Sequence, residues 1–111
     1  MQPPFSKALE SNGFIFLSGE VPIDKEGKIP EGIEAQTALV MNKIKTTLLQ
    51  YNAEIENILS VTVYLTDKSD FDKFNHIYEN YFSLPYPVRT TVICELVVDV
   101  KLEITVIAQK K

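Results

Sequence analysis

The spacing of apolar positions changes several times along the chain, and each change marks an element. Phe14, Phe16 and Ser18 alternate with Ile15 and Leu17, the period-2 pattern of a strand over Gly13–Glu20. A partner strand precedes it at Ser6–Glu10. The Asn12-Gly13 pair between them favours the positive φ angles of a tight hairpin. Pro22 to Pro30 holds Asp24, Gly27 and two prolines, and reads as a turn-rich loop. From Gly32 to Tyr51 the period lengthens. Ile33, Thr37, Val40, Ile44, Leu48 and Tyr51 recur at steps of three and four, which puts them on one helix face. Glu31 and Glu34 suit the positive end of its dipole, and Asn52 is its stop. Ser60–Thr66 alternates again as a half-buried strand. Ser69 and Asp72, three apart, suggest the cap of a second helix. That helix carries an aromatic stripe of Phe71, Phe74, Tyr78, Tyr81 and Phe82, read as core, and ends at Leu84-Pro85-Tyr86-Pro87.

Two strands close the chain. In Arg89–Leu96, Arg89, Thr91, Ile93 and Glu95 share one face, while Thr90, Val92, Cys94 and Leu96 share the other. In Val98–Ala108, Val98, Val100, Leu102, Ile104, Val106 and Ala108 form an apolar face opposed by Asp99, Lys101, Glu103, Thr105 and Ile107. The order ββ-α-β-α-ββ predicts an α+β fold, one mixed sheet with both helices on the same face. The uncovered face is expected to carry Arg89, Thr91, Ile93, Glu103, Thr105 and Ile107. Its isoleucines are too apolar for a surface wholly in water, which points to an interface between copies.

Composition narrows the chemistry. The 111 residues suffice for one domain spanning 1–111. The only cysteine is Cys94, the only histidine His76 and the only arginine Arg89. That excludes internal disulfides, cysteine-cluster zinc sites and two-histidine metal motifs. No metal is expected. The fifteen acidic and eleven basic residues leave a net charge of −4, which argues against binding nucleic acid through basic charge. Met1–Phe5 lacks the charged and apolar regions of a leader, and no apolar run approaches the ~20 residues of a membrane span. The expectation is a cytoplasmic protein without a membrane partner.

Several segments resemble the Rid family, also called the YjgF/YER057c/UK114 family. Pro4-Phe5-Ser6-Lys7-Ala8 is similar to its Pro-Tyr-Ser-x-Ala start. Ile15 to Pro22 resembles its Val-Phe-x-Ser-Gly-Gln-x-Pro strand. Gly32 to Thr37 matches the opening of its first helix. Val63 to Asp67, with Phe71, Phe74, Asn75, Tyr78 and Phe82, matches its middle strand and second helix. Tyr86 to Val92 resembles its Pro-Ala-Arg-(Ser/Thr)-x-Val signature, and Val100 to Ile104 with Ile107-Ala108 its closing strand. The resemblance covers nearly the whole chain. It implies a chorismate-mutase-like fold and a homotrimer with sites at the subunit clefts. It also implies deamination of reactive enamines and imines such as 2-aminoacrylate, 2-iminopropanoate and 2-iminobutanoate, giving 2-keto acids and ammonia.

By this resemblance Arg89 is the arginine that binds the substrate carboxylate. A guanidinium can grip a carboxylate through two parallel hydrogen bonds, a geometry lysine cannot reproduce. Composition alone would favour a structural ion pair. Glu103 matches the glutamate that holds the attacking water, and a carboxylate can relay protons to the leaving amine. The bland alternative is an exposed strand glutamate. Thr91, on Arg89's face, replaces a cysteine common in the family. Ser18 either lines the site or is satisfied at a strand end. Phe5 replaces the usual tyrosine, keeping an aromatic wall without its hydroxyl. Cys94 is expected in the core, His76 on an exposed helix face, and Asn75 and Tyr78 in structural or subunit contacts. A short segment before Phe5 and a Leu96–Val100 turn lacking the common Leu-Pro would alter the cleft mouth.

The expected function is therefore an imine deaminase acting on a small 2-imino acid, with no cofactor, since an imine is already electrophilic. Two alternatives stand beside it. One is the endoribonuclease or translation-inhibitor activity also ascribed to the family, which the acidic balance opposes. The other is a non-enzymatic small-ligand-binding trimer, which fold alone does not exclude.

Overall fold

The computed structural model describes residues 2–111, so Met1, where the leader reading begins, lies outside it. The opening hairpin joins β1 (Ala8–Ser11) to β2 (Phe14–Leu17) through Asn12 and Gly13, both at positive φ (53° and 83°). Two such residues make the turn whose twist matches paired strands. Helix α1 (Ile33–Leu49) buries Ile33, Thr37, Val40, Ile44 and Leu48 of the predicted stripe together with Met41, while Tyr51 lies beyond its end and is partly buried. Strand β3 (Ile58–Leu65) follows, and β4 (Val88–Ile93) and β5 (Leu102–Gln109) complete the sheet. Between β3 and β4 runs α2 (Phe71–Tyr78), with 3-10 turns at Lys68–Asp70 and Glu79–Tyr81.

The sheet order is β1-β2-β5-β3-β4, with β3 and β4 parallel and every other pair antiparallel. The chain thus places β5 between β2 and β3, and β4 at an edge. Both helices contribute to one core, where Val40, Ile44, Leu48 and Phe74 meet Ile15, Val61, Val63, Ile104 and Val106 of the sheet. The other sheet face has no helix. Among the described residues, no helix is long and apolar enough to cross a membrane.

Three expectations change. The second helix is not capped by a Ser69–Asp72 box. Asp67 accepts from the Ser69 backbone N–H at 2.9 Å and from its hydroxyl at 2.7 Å, fixing a 3-10 turn before α2 starts. The last two strands are shorter than their alternation suggests. The Cys94 N–H donates to the carbonyl of Leu65, the final residue of β3, and beyond it β4 has no strand to pair with. Residues 94–101 therefore form a loop, and Cys94 lies there half-buried rather than in the core.

The third change concerns the faces. β4 and β5 are not neighbours, since β3 separates them. Arg89 and Thr91 pair with Val61 and Val63, which point toward the helices. Glu103 and Thr105 pair with Tyr64 and Thr62 on the uncovered face. Alternation correctly grouped each strand's residues but assigned Arg89, Thr91 and Ile93 to the wrong side. Thr90 and Val92 take the uncovered face instead. An edge strand tolerates this inversion, because a long cation there can reach past the core to its rim.

Candidate functional site

Arg89 is held on the helix side by aromatic rings. Its guanidinium carbon lies 4.9 Å from the ring centre of Tyr78, 5.6 Å from Phe74 and 5.8 Å from Phe71. A cation over aromatic faces gains roughly 0.5–2 kcal/mol according to its exposure. Its position follows from the fold. The parallel β3–α2–β4 crossover lays α2 beside β4, so residues of α2 at helical spacing meet the first inward residue of the strand. Burial pushes the Tyr78 hydroxyl upward in pKa, against the opposing pull of the Arg89 charge beside it. A pocket of about 290 Å³ opens here, lined by Asn75, Tyr78, Phe82, Tyr86 and Arg89 among others.

The ion-pair reading of Arg89 fails. The described residues form five ion pairs, and Arg89 belongs to none of them. An arginine fixed by rings and left without a carboxylate retains its hydrogen-bonding fork for a ligand anion. Two residues along the same face, the Thr91 hydroxyl oxygen is buried and has no hydrogen-bond partner among the described residues. Such an orphan costs on the order of 1–3 kcal/mol unless a partner is supplied.

The second group of site residues gathers on the other side of the sheet. The Ser18 hydroxyl donates to the Ser6 carbonyl at 2.6 Å, and the Ser18 N–H donates to the Lys7 carbonyl at 3.0 Å. Its hydroxyl proton is thus committed to the chain, which favours the strand-end reading. These bonds draw the segment next to Phe5 onto the end of β2, and Phe5 itself is 64% exposed. Glu103 lies against Gly19, close enough that a β-carbon at position 19 would collide with its carboxylate. Burial raises the pKa of Glu103 from its ordinary glutamate value, and the nearby Glu20 charge adds to this. A carboxylate of raised proton affinity is the better base toward water.

Gly19→Ala gives a first prediction. The colliding atom is the free end of a flexible side chain, so Glu103 should swing away while the fold survives. Circular dichroism should be unchanged and any Glu103-dependent turnover should fall at least tenfold. A variant with full turnover would show that the Gly19 seat is dispensable.

The structure therefore sets Thr91 two residues from Arg89 on the helix side, and Ser18 beside the Gly19–Glu103 contact on the other side; it does not bring the two sets together, and it leaves Phe5 exposed. Sequence reasoning missed Phe71, which it placed in the core, though it flanks Arg89 and is 36% exposed. It also missed Gly19, whose signal was a glycine at a strand end, a common mark of close approach. Asn75 and Tyr78 line the arginine pocket, while His76 is exposed as expected.

Known proteins share this architecture. The family model described as endoribonuclease L-PSP matches residues 1–110. A RutC family protein of Pyrococcus abyssi is 40% identical over 111 residues, covering 97% of this chain and 87% of the relative. Yeast MMF1, named a mitochondrial protein, is 33% identical over 109 residues, covering 96% of this chain and 75% of its own. The crystal structure of yeast Mmf1 superposes with a TM-score of 0.94 at 32% identity, covering 100% of this chain and 90% of that one. E. coli TdcF with bound serine gives 0.93 at 29% identity, covering 100% and 91%. With its full-length match, its RutC relatives and these shared folds, the chain belongs to the endoribonuclease L-PSP family, the Rid or YjgF family its motifs resemble.

Proposed function

We propose that this protein hydrolyses small 2-imino acids to 2-keto acids and ammonia, at sites each assembled from two copies of the chain. The observation that carries the reading is an arginine packed against aromatic rings with no carboxylate partner among the described residues. It is a receptor for a small organic anion. The serine bound in E. coli TdcF supports a small carboxylate-bearing occupant in this family.

The chemistry follows from the two groups. Arg89 holds the substrate carboxylate, and the Thr91 hydroxyl lies two residues along the same face. Glu103 of a second copy accepts a proton from water as its oxygen attacks the imine carbon. That proton passes to the nitrogen to give a carbinolamine; its hydroxyl proton is then relayed through Glu103 to the nitrogen as the C–N bond breaks, the carbonyl forms and ammonia leaves. One water enters, one ammonia leaves, and no electrons are transferred. Two copies are needed because Arg89 and Glu103 project from opposite faces of one sheet. The helix-free face, with Leu9 and Phe16 exposed on it, supplies the apolar surface for association. A homotrimer fits this arrangement.

The test generates imines in situ with an amino-acid oxidase and follows ammonia release above the spontaneous rate. Acceleration by the wild type is the expected result. A wild type no faster than Arg89→Ala would overturn the assignment. Tight 2-keto acid binding without turnover would instead favour the ligand-binding reading.

A further inference from the structure

We propose that Glu20 and Lys43 are positioning residues for Glu103, setting the pH at which it can activate water; the role rests on the reading of Glu103 given above. The geometry is a built cluster spanning α1 and two strands. The Lys43 ammonium donates to the carbonyls of Val21 and Ile23 at 2.9 and 2.6 Å, and lies 3.0 Å from the Glu20 carboxylate. Both side chains of this ion pair are largely withdrawn from solvent, at 25% and 14% exposure. Glu20 in turn exchanges backbone hydrogen bonds with Ile104, the residue next to Glu103, at 2.8 and 3.1 Å. The preceding Gly19 seats the Glu103 carboxylate. One lysine of α1 thereby fixes the segment on which the proposed base rests.

The charges act across this cluster. Glu20 pairs with the inward-facing Ile104, and Glu103 lies on the uncovered side of the same strand pair. From β3 Glu103 meets Tyr64, with uncharged Val92 of β4 beyond. On its own strand's approach is Lys101, whose ammonium lies 3.4 Å from Asp70. Burial is the larger cause of Glu103's raised proton affinity, and Glu20 is the like charge that adds to it. Lys43 is the charge that moderates Glu20.

Water activation needs ionised Glu103, so activity is lost as pH falls through its midpoint. Glu20→Gln removes a like charge and should lower that midpoint by about half a pH unit. Lys43→Met leaves Glu20 uncompensated and should raise it. The double variant should match Glu20→Gln, because Lys43 acts through Glu20. Lys43→Arg, which keeps the charge, should fall near the wild type and guards against a folding defect in Lys43→Met.

The measurement is an NMR titration of the carbon-labelled Glu103 carboxyl on the intact protein, paired with the acid limb of ammonia release. A purely structural role would lower activity without moving the two midpoints in opposite directions. Shifts in one direction, or none, overturn the proposal. If the midpoints move as stated but no ammonia is released, the cluster stands and the deaminase reading falls. If ammonia is released and the midpoints stay together, the cluster falls and the deaminase reading stands.

Discussion

Replacing Arg89 by alanine should reduce kcat/KM for 2-imino acids by roughly 100-fold. The size follows from the lost contacts, since hydrogen bonds to a charged group contribute about 1.5–3 kcal/mol each and 1.4 kcal/mol is a factor of ten. The fold should survive, because Arg89 is only half-buried on an edge strand and makes no ion pair among the described residues. Arg89→Lys is the sharper variant. It keeps the charge over Tyr78 but loses the planar fork, so a recovery of no more than about tenfold over alanine is expected. If lysine restored full activity, the pocket would be reading charge alone and not carboxylate geometry. If alanine cost nothing, the arginine would not be the anion receptor. Steady-state kinetics with imines of two chain lengths, checked by circular dichroism, distinguish these cases.

Much of this architecture was legible in the residues. The hairpin followed from Asn12-Gly13, because few residue pairs tolerate two positive φ angles. The first helix followed from its stripe, and β5 from an apolar row that the core swallowed residue by residue. The limits were equally physical. Alternation says which residues share a face, yet it carries no label for which face meets a helix. For β3 and β5 the apolar row settles the choice. For β4 both rows are mixed, and Val88 and Val92 look like better core residues than Arg89. Only the neighbouring α2, supplying Phe71, Phe74 and Tyr78, makes the inward position hospitable to a cation. Strand ends were illegible for a related reason. Residues 94–101 have the composition of a strand, but β3 stops at Leu65 and leaves them nothing to pair with.

The inversion of β4 alters the argument for assembly. With Arg89 and Glu103 on one face, a single chain could hold both, and association would be incidental. With them on opposite faces, no side-chain rotation joins them through the sheet. Under the proposed function, a chain of 111 residues gains its site by placing half of it on each of two surfaces. One half is the aromatic-backed arginine beside the orphaned Thr91 hydroxyl. The other is the glutamate seated on Gly19, beside the Ser6–Lys7 segment to which Ser18 is hydrogen-bonded. In the proposed mechanism each is chemically incomplete alone, since the first would bind an anion without a base and the second would activate water without a substrate.

Complementation between two inactive variants should therefore restore activity. Arg89→Ala retains an intact Glu103, and Glu103→Gln retains an intact Arg89. Each homogeneous protein should release ammonia at no more than a few per cent of the wild-type rate. Co-expressed in equal amounts and mixing at random, they should regain about one quarter of wild-type activity, because each site draws its arginine and its glutamate from different copies of a closed ring and finds both intact with a chance of one half each. Placing both substitutions in one chain and mixing it with wild type is the companion measurement. There too a site is intact only when both contributing copies are wild type, so about one quarter should remain. Sites contained within one chain would behave differently. The two single variants would then stay inactive when mixed, and the double variant would dilute the wild type to about half. Differential tags that isolate mixed oligomers before assay would make the two outcomes unambiguous, and an inactive mixed oligomer would sink the shared site.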